Sequence, residues 1–265
     1  VSPECVLATN TSSLSVERMS EGLKNPERVV GFHFFNPVAV MPLLEVARTS
    51  KTDDATTATA ISVGKELKKT MIICKDAPGF VVNRLLTRFM GEITDAVDEG
   101  TSPEVADNAM RAIGFPMSPF QLLDLVGPGV ALHVSETLHS NLGDRYRISP
   151  TMAAMVKQGV RNFYVKNEDG SFGANPAALA LIHKGDSPST AEQVRSRALT
   201  ALAVEARMML DEGVVSTPAE IDLCMLMGAG WPMHLGGILP YLDREGISEA
   251  ACGQRFHPKA VASLP

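Results

Sequence analysis

The sequence predicts an α/β domain with a mostly parallel sheet, followed by a long helical tail that contains a duplication. Three observations carry this. Short apolar runs of strand character alternate with helical patterns over the first 75 residues, the arrangement of a parallel sheet with crossover helices. Beyond "KDAPGF" the patterns are almost all helical. One segment of that helical part then recurs further along the chain.

Taken in order, residues 5–9 form a short apolar run closed by "TNTSS", a polar turn suited to capping the helix expected at 14–23, which ends at Lys24-Asn25-Pro26. Residues 29–35 are a near-continuous apolar run, as in a strand covered on both faces, and residues 43–47 are another. "KTDDATTATAISVGKELKK" has acidic residues at its start, apolar residues at helical spacing and a basic end, which complements a helix dipole. A third buried strand follows at 70–74. Helices are predicted at 81–99, 103–112, 119–126, 129–142 and 150–158, with a hairpin or turn around Asp169-Gly170. "HKGDSPSTAEQ" reads as a linker before a long helix at 191–212.

The repeat relates residues 84–117 to residues 197–233. Its landmarks are Glu92 against Glu205, two D-E-G triplets, "PEVAD" against "PAEID", and Pro116-Met117 against Pro232-Met233. Each copy ends one long helix at a glycine and enters the next through Ser or Thr before proline.

Composition narrows the class. A net charge of −6 over 265 residues offers no footprint for nucleic acid or an anionic membrane. No apolar run approaches the roughly 18–20 residues of a transmembrane helix. Cys5, Cys74, Cys224 and Cys252 lack C-x-x-C spacing, which fits reduced thiols in a cytoplasmic protein and neither a disulfide framework nor a zinc site.

The chemistry concentrates in "VVGFHFFNPVAVMPLLEV". A histidine in an apolar strand is, taken alone, more often a hydrogen-bonded core residue. Glu45 in "LLEVA" changes that reading, because a buried glutamate needs a partner. If the two strands are neighbours, about 5 Å apart, His33 and Glu45 meet. A carboxylate on one imidazole nitrogen fixes the tautomer and leaves the other nitrogen as a base. Ser12 lies just beyond a strand end, where ligands of α/β sheets gather, although capping is the plainer role for that segment. Asn83 sits near the start of a long, otherwise apolar helix; inside a helix asparagine is neutral to unfavourable, and a solvent-facing residue with no role is the plainer reading. Asn36 before Pro37 suits a turn.

"NTSSL", "GFHFFNPV" with "LLEV", and "CKDAPGFVVNRLL" closely resemble the L-3-hydroxyacyl-CoA dehydrogenase family, and the duplicated helical tail resembles that of multifunctional fatty-acid oxidation α-subunits. The resemblance implies that His33 is the general base toward the substrate 3-hydroxyl while hydride passes to NAD. It implies that Glu45 supports His33, that Ser12 and Asn83 bond the reacting oxygen or its surroundings, and that Asn10, Ser12 and Asn36 lie on the cofactor side. An acyl-CoA substrate is implied, with a thiolase subunit as a further partner.

The family's G-x-G-x-x-G turn is not found in this sequence. The expectation is therefore an α/β remnant of a Rossmann-type domain (1–75, the carboxyl-terminal part of an NAD-binding domain) followed by two duplicated all-α domains, 76–186 and 187–265. In that picture the second copy, with Ser196 in place of Asn83, is a non-catalytic pseudo-dimer partner. The missing amino-terminal hydratase and NAD-binding portion would be a partner of an incomplete sheet. Oxidation of 3-hydroxyacyl-CoA in β-oxidation is the leading functional expectation. A non-catalytic assembly module is the second, and another hydroxy-acid dehydrogenase the third.

Overall fold

The computed structural model describes residues 1–166, 172–182 and 185–262. The chain divides into two compact units, one made of Val1–Leu85 with Ala203–Pro265 and the other of Leu86–Leu202.

The first unit is built on a four-stranded sheet in the order β1 (Leu7–Thr9), β2 (Val29–Phe34), β3 (Leu43–Arg48), β4 (Thr70–Lys75). β1 and β2 are parallel, as are β3 and β4, but β2 and β3 are antiparallel. The connection at 35–42 is shorter than the dozen or so residues that a parallel crossover needs, so the chain has to turn back on itself. Side chains alternate between two covered faces. Val30, Leu44 and Val46 pack with Ala60 of α2 (Asp54–Glu66), which Asp53 caps by accepting from the Thr56 amide. Gly64 brings α2 close to the sheet, since a Cβ there would lie 2.7 Å from Met71 Sδ.

The opposite face holds His33, Leu43 and Glu45. It is covered by α1 (Val16–Ser20), by the start of α3 (Val82–Asp98) and by α10 (Pro218–Gly228), which packs on β3. A Cβ on Gly228 would stand 2.5 Å from Leu43 Cδ2 and 2.9 Å from Val82 Cγ2. The Val214 carbonyl accepts from the amide of Lys75. α11 (Ile238–Arg244), α12 (Ile247–Cys252) and α13 (Lys259–Ala262) complete this unit, with Trp231 buried edge-on against Tyr241.

These contacts correct the expected architecture. The α/β part is not a remnant followed by two duplicated all-α domains. It is a Rossmann-like domain, and the carboxyl-terminal copy of the repeat closes over its sheet. The physical reason is that the repeat exchanges partners. Arg84 of the first copy is wholly buried and donates to Glu205 (2.7 Å) and to Glu212 (2.6 and 3.0 Å) of the second copy.

The second unit carries the rest of α3, then α4 (Pro103–Asn108), α5 (Pro119–Val126), α6 (Pro128–Leu142), α7 (Pro150–Gln158), α8 (Pro176–Leu179) and the first part of α9 (Ala191–Asp211). β5 (Tyr164–Lys166) pairs antiparallel with β6 (Phe172–Ala174); the expected Asp169-Gly170 turn lies outside the described residues. The helix expected at 103–112 stops at Asn108 and passes into a 3-10 turn at Arg111–Ile113, ended by left-handed Gly114. Ser102, Ser118 and Ser149 cap the helices that each enters through proline. Here the exchanged ion pairs recur: Arg197 donates to Glu92 (3.1 Å) and to Glu99 (2.5 and 3.2 Å).

Two predictions follow from these packing arrangements. Gly228→Ala should lower the urea midpoint by an amount equivalent to about 1–3 kcal/mol, because the buried side chains of Leu43 and Val82 would have to shift to admit the methyl group. Asp95 is raised to about 6, chiefly by burial, with Glu92, Asp98 and Glu99 adding to the effect and Arg147 opposing it. A raised carboxyl favours the folded state while protonated, so stability should fall as pH rises from about 4 to 6. Asp95→Asn should abolish that slope and gain up to about 3 kcal/mol at pH 7 in urea titrations.

Candidate functional site

Strand register builds the centre of the site. His33 and Glu45 are direct partners across the antiparallel β2–β3 pair, so both side chains leave the same face of the sheet. His33 Nδ1 lies 2.7 Å from Glu45 Oε2; Glu45 is fully buried and His33 is 5% exposed. The other carboxylate oxygen, Oε1, accepts from the amides of Val81 (3.1 Å) and Val82 (3.0 Å), where α3 begins. The helix therefore presents its unpaired N–H groups and positive dipole end to a buried negative charge.

The turn that delivers α3 is shaped for this contact. Gly79 and Phe80 both have positive φ, 73° and 47°, and a non-glycine residue in that region is sparsely populated. The backbone twist places the Phe80 ring 5.6 Å from the imidazole, with Phe35 on another side at 4.6 Å. The ring is thus orientated by two aromatics and one carboxylate. An acceptor-only carboxylate requires Nδ1 to carry a proton, which leaves Nε2 of the neutral imidazole as an acceptor. Among the described residues His33 has no other hydrogen-bond partner.

The remaining expected residues surround this pair unevenly. Asn83, in the first turn of α3, donates to the Ser12 backbone carbonyl at 3.4 Å, which ties α3 to the loop after β1. Among the described residues the Ser12 hydroxyl has no hydrogen-bond partner; the capping role falls to Ser15, whose side chain accepts from the Arg18 amide. Asn10 Oδ1 accepts from the Phe34 amide at 2.9 Å and so pins the end of β2 to the end of β1. Asn36 is exposed in the β2–β3 connection. Cys74 on β4 and Cys224 on α10 are buried, and burial reinforced by the Glu45 charge pushes both thiols well up, so they stay protonated.

Asp76 is a residue that the sequence reading passed over. Its carboxylate accepts from Ser15 Oγ (2.9 Å) and from the amides of Val16 (3.1 Å) and Glu17 (2.8 Å), so it closes the start of α1 as Glu45 closes the start of α3. The signal was present in "KDAPGF", an aspartate after a buried strand, but its partner lies some sixty residues away.

The side chains of Ser12 and Asn36 have no hydrogen-bond partner among the described residues, and they lie in the loops that follow β1 and β2, the strand ends at which ligands of such sheets bind. A glycine-rich turn for the pyrophosphate is not among the 265 residues. Among the described residues no three His, Cys, Asp or Glu side chains are placed to hold a metal, and no helix is long and apolar enough to cross a membrane.

Comparison with known proteins bears on the family and the fold. Residues 1–77 match the 3-hydroxyacyl-CoA dehydrogenase NAD binding domain, and residues 79–168 match the C-terminal domain of the same family. The fatty acid oxidation complex subunit alpha of Acinetobacter baylyi is 32% identical over 275 residues, covering 95% of this chain and 38% of that protein. The chain thus spans well under half the length of that relative. The crystal structure of 3-hydroxybutyryl-CoA dehydrogenase from Escherichia coli has the same fold, with a TM-score of 0.73 at 24% identity, over 98% of this chain and 75% of that one. The (S)-3-hydroxybutyryl-CoA dehydrogenase of Ralstonia eutropha is 34% identical with a TM-score of 0.57, over 61% of this chain and 58% of that one. The match of residues 1–77 to an NAD binding domain, followed by a helical C-terminal domain, also overturns the expected remnant with two all-α domains.

Glu45→Ala would strip the acceptor from His33 and from two buried amides at once. It should destabilise the protein by about 3 kcal/mol, read as a fall in Tm by calorimetry.

Proposed function

The chain belongs to the 3-hydroxyacyl-CoA dehydrogenase family, and on that premise we propose that it carries the proton-transfer site for NAD-dependent oxidation of (3S)-3-hydroxyacyl-CoA to 3-ketoacyl-CoA in fatty-acid β-oxidation. The observation that carries the proposal is the buried His33–Glu45 pair with Nε2 unoccupied by any described residue.

NAD, when bound, accepts the hydride from C3 of the substrate. This chain's own residues handle the proton. His33 Nε2 takes it from the 3-hydroxyl, and the positive charge that develops on the imidazole is met by Glu45 through Nδ1. The α3 amides keep Glu45 from turning away, so the pair enters the reaction with its tautomer already set. Asn83, from the start of α3, and Ser12, from the loop after β1, supply donors for the reacting oxygen, and Asn36 adds a polar group on the cofactor side. Asn10 acts by holding the two strand ends together.

An acyl-CoA is the substrate class in this reading. The relatives' names, fatty acid oxidation complex subunit alpha, support a place in a multifunctional assembly, with a thiolase subunit as the partner to test. The four free cysteines support the cytoplasm as its compartment.

The test is NADH consumption with acetoacetyl-CoA by the purified protein beside His33→Ala. Turnover should fall by about 10²–10⁴-fold in the variant with the fold retained. A variant that keeps full turnover would remove His33 from the chemistry. A wild-type protein that neither turns over nor binds NADH would replace the enzyme by a non-catalytic module.

A further inference from the structure

We propose that Arg84, Glu205 and Glu212 form a positioning network for the His33–Glu45 pair, so that the carboxyl-terminal copy of the repeat sets the geometry of a base it never touches. The proposal rests on the functional reading above for its kinetic consequences, but not for its structural ones.

The first turn of α3 carries three things in succession: the amides of Val81 and Val82 that hold Glu45, the Asn83 side chain, and Arg84. Whatever sets the position and rotation of this turn sets Glu45, and through it His33. Arg84 is the only one of these side chains that binds the carboxyl-terminal segment by ion pairs. Its guanidinium is wholly buried, with Nε on Glu205 Oε1 at 2.7 Å and the two terminal nitrogens on the two oxygens of Glu212 at 2.6 and 3.0 Å. A planar fork gripping a carboxylate at two points, with a third bond from Nε, fixes direction as well as distance.

Energetics argue that orientation is the purpose. A buried ion pair is weak support for stability, because desolvating both partners offsets most of their attraction, and apolar replacements of similar volume often serve as well. Here a completely buried arginine, one residue from Asn83 and within one turn of the Glu45 contact, is paired with the completely buried Glu205, while Glu212 is 41% exposed. The same turn is wedged from the side by Gly228 of α10, against Val82 and Leu43. The Lys75 amide, just before the α3 turn, is tied to the Val214 carbonyl, two residues past Glu212. The carboxyl-terminal segment therefore grips α3 and the end of β4 at three separate points.

Glu205→Gln and Glu212→Gln keep shape and remove charge; Glu212→Asp keeps charge. Asp53→Ala, which removes the α2 cap on the far face of the sheet, serves as a control for destabilisation away from the network. In protein labelled with ¹⁵N-histidine, the low-field proton on His33 Nδ1 is assigned by its disappearance in Glu45→Gln. Both glutamine variants should shift or broaden this resonance and lower kcat by about tenfold to a hundredfold, with KM held within about twofold. Glu212→Asp should recover most of the loss, and the control should leave the resonance in place. Folded glutamine variants with an unmoved resonance would overturn the proposal, as would a control that moves it equally. A resonance that moves in a protein without turnover would keep the network and sink the dehydrogenase reading. An unmoved resonance in an active enzyme would do the reverse.

Discussion

The buried carboxylate of Glu45 is the constraint around which the rest of the first unit is arranged. A charge with no solvent exposure must be met by donors, and three converge on it: one from an imidazole on the neighbouring strand and two from the start of a helix. Each donor imposes a structural demand. The imidazole requires β2 and β3 to be neighbours in the register that sets residue 33 opposite residue 45. The amides require α3 to begin at the sheet face, which is reached through the left-handed Gly79-Phe80 turn. Asp76 repeats the device at α1 with a different geometry. Two helices on this face are thus aimed by carboxylates, and the loop beyond β1 is drawn toward the base by Asn83.

The repeat follows a second logic, exchange of partners between copies. Arg84 pairs with Glu205 and Glu212, while Arg197, its counterpart in the repeat, pairs with Glu92 and Glu99. Such reciprocity is the pattern of an isologous interface, in which residue i meets j and j meets i. The copies also share an internal arrangement that the sequence comparison did not reach. In the first copy Asp107 accepts from the Phe120 amide and the Tyr164 hydroxyl, and Asp124 accepts from the amides of Phe163 and Tyr164. In the second, Asp222 accepts from the Leu239 amide and pairs with His257 Nε2, and Asp243 accepts from the amides of Phe256 and His257. Tyrosine in one copy stands where histidine stands in the other, both tethering a distant segment to a buried aspartate. Burial raises Asp222 to about 6 even with His257 beside it.

These two arrangements explain which sequence signals were readable. Strands β2, β3 and β4 and helices α5 and α7 fall where apolar runs and Ser-Pro entries place them, because their causes are local: caps, turns and side-chain period. The predicted helix at 14–23 shrinks to α1 because Ser15 and Asp76 start it late and Gly22 follows its end. Glu45 beside His33 was legible as a pair because a glutamate among aliphatics has few alternatives to a partner. Asp76 was not, because nothing local distinguishes it from any aspartate in a turn.

The sequence by itself determined the order and type of most strands and helices, the existence of the repeat and the His33–Glu45 pairing, since each is signalled by caps, turns, side-chain period or a glutamate among aliphatics. Only the tertiary structure decided the antiparallel β2–β3 register, the two amides that complete the Glu45 site and the return of the second repeat onto the sheet. Those depend on contacts between residues from about ten to more than a hundred positions apart, where burial of charge and close approach at Gly228 select one packing from many that the local pattern allows. The repeat shows the difference plainly. Its two copies are visible as similar strings, yet their arginines bind across from one copy to the other, so similarity along the chain did not mark where one folded unit ends.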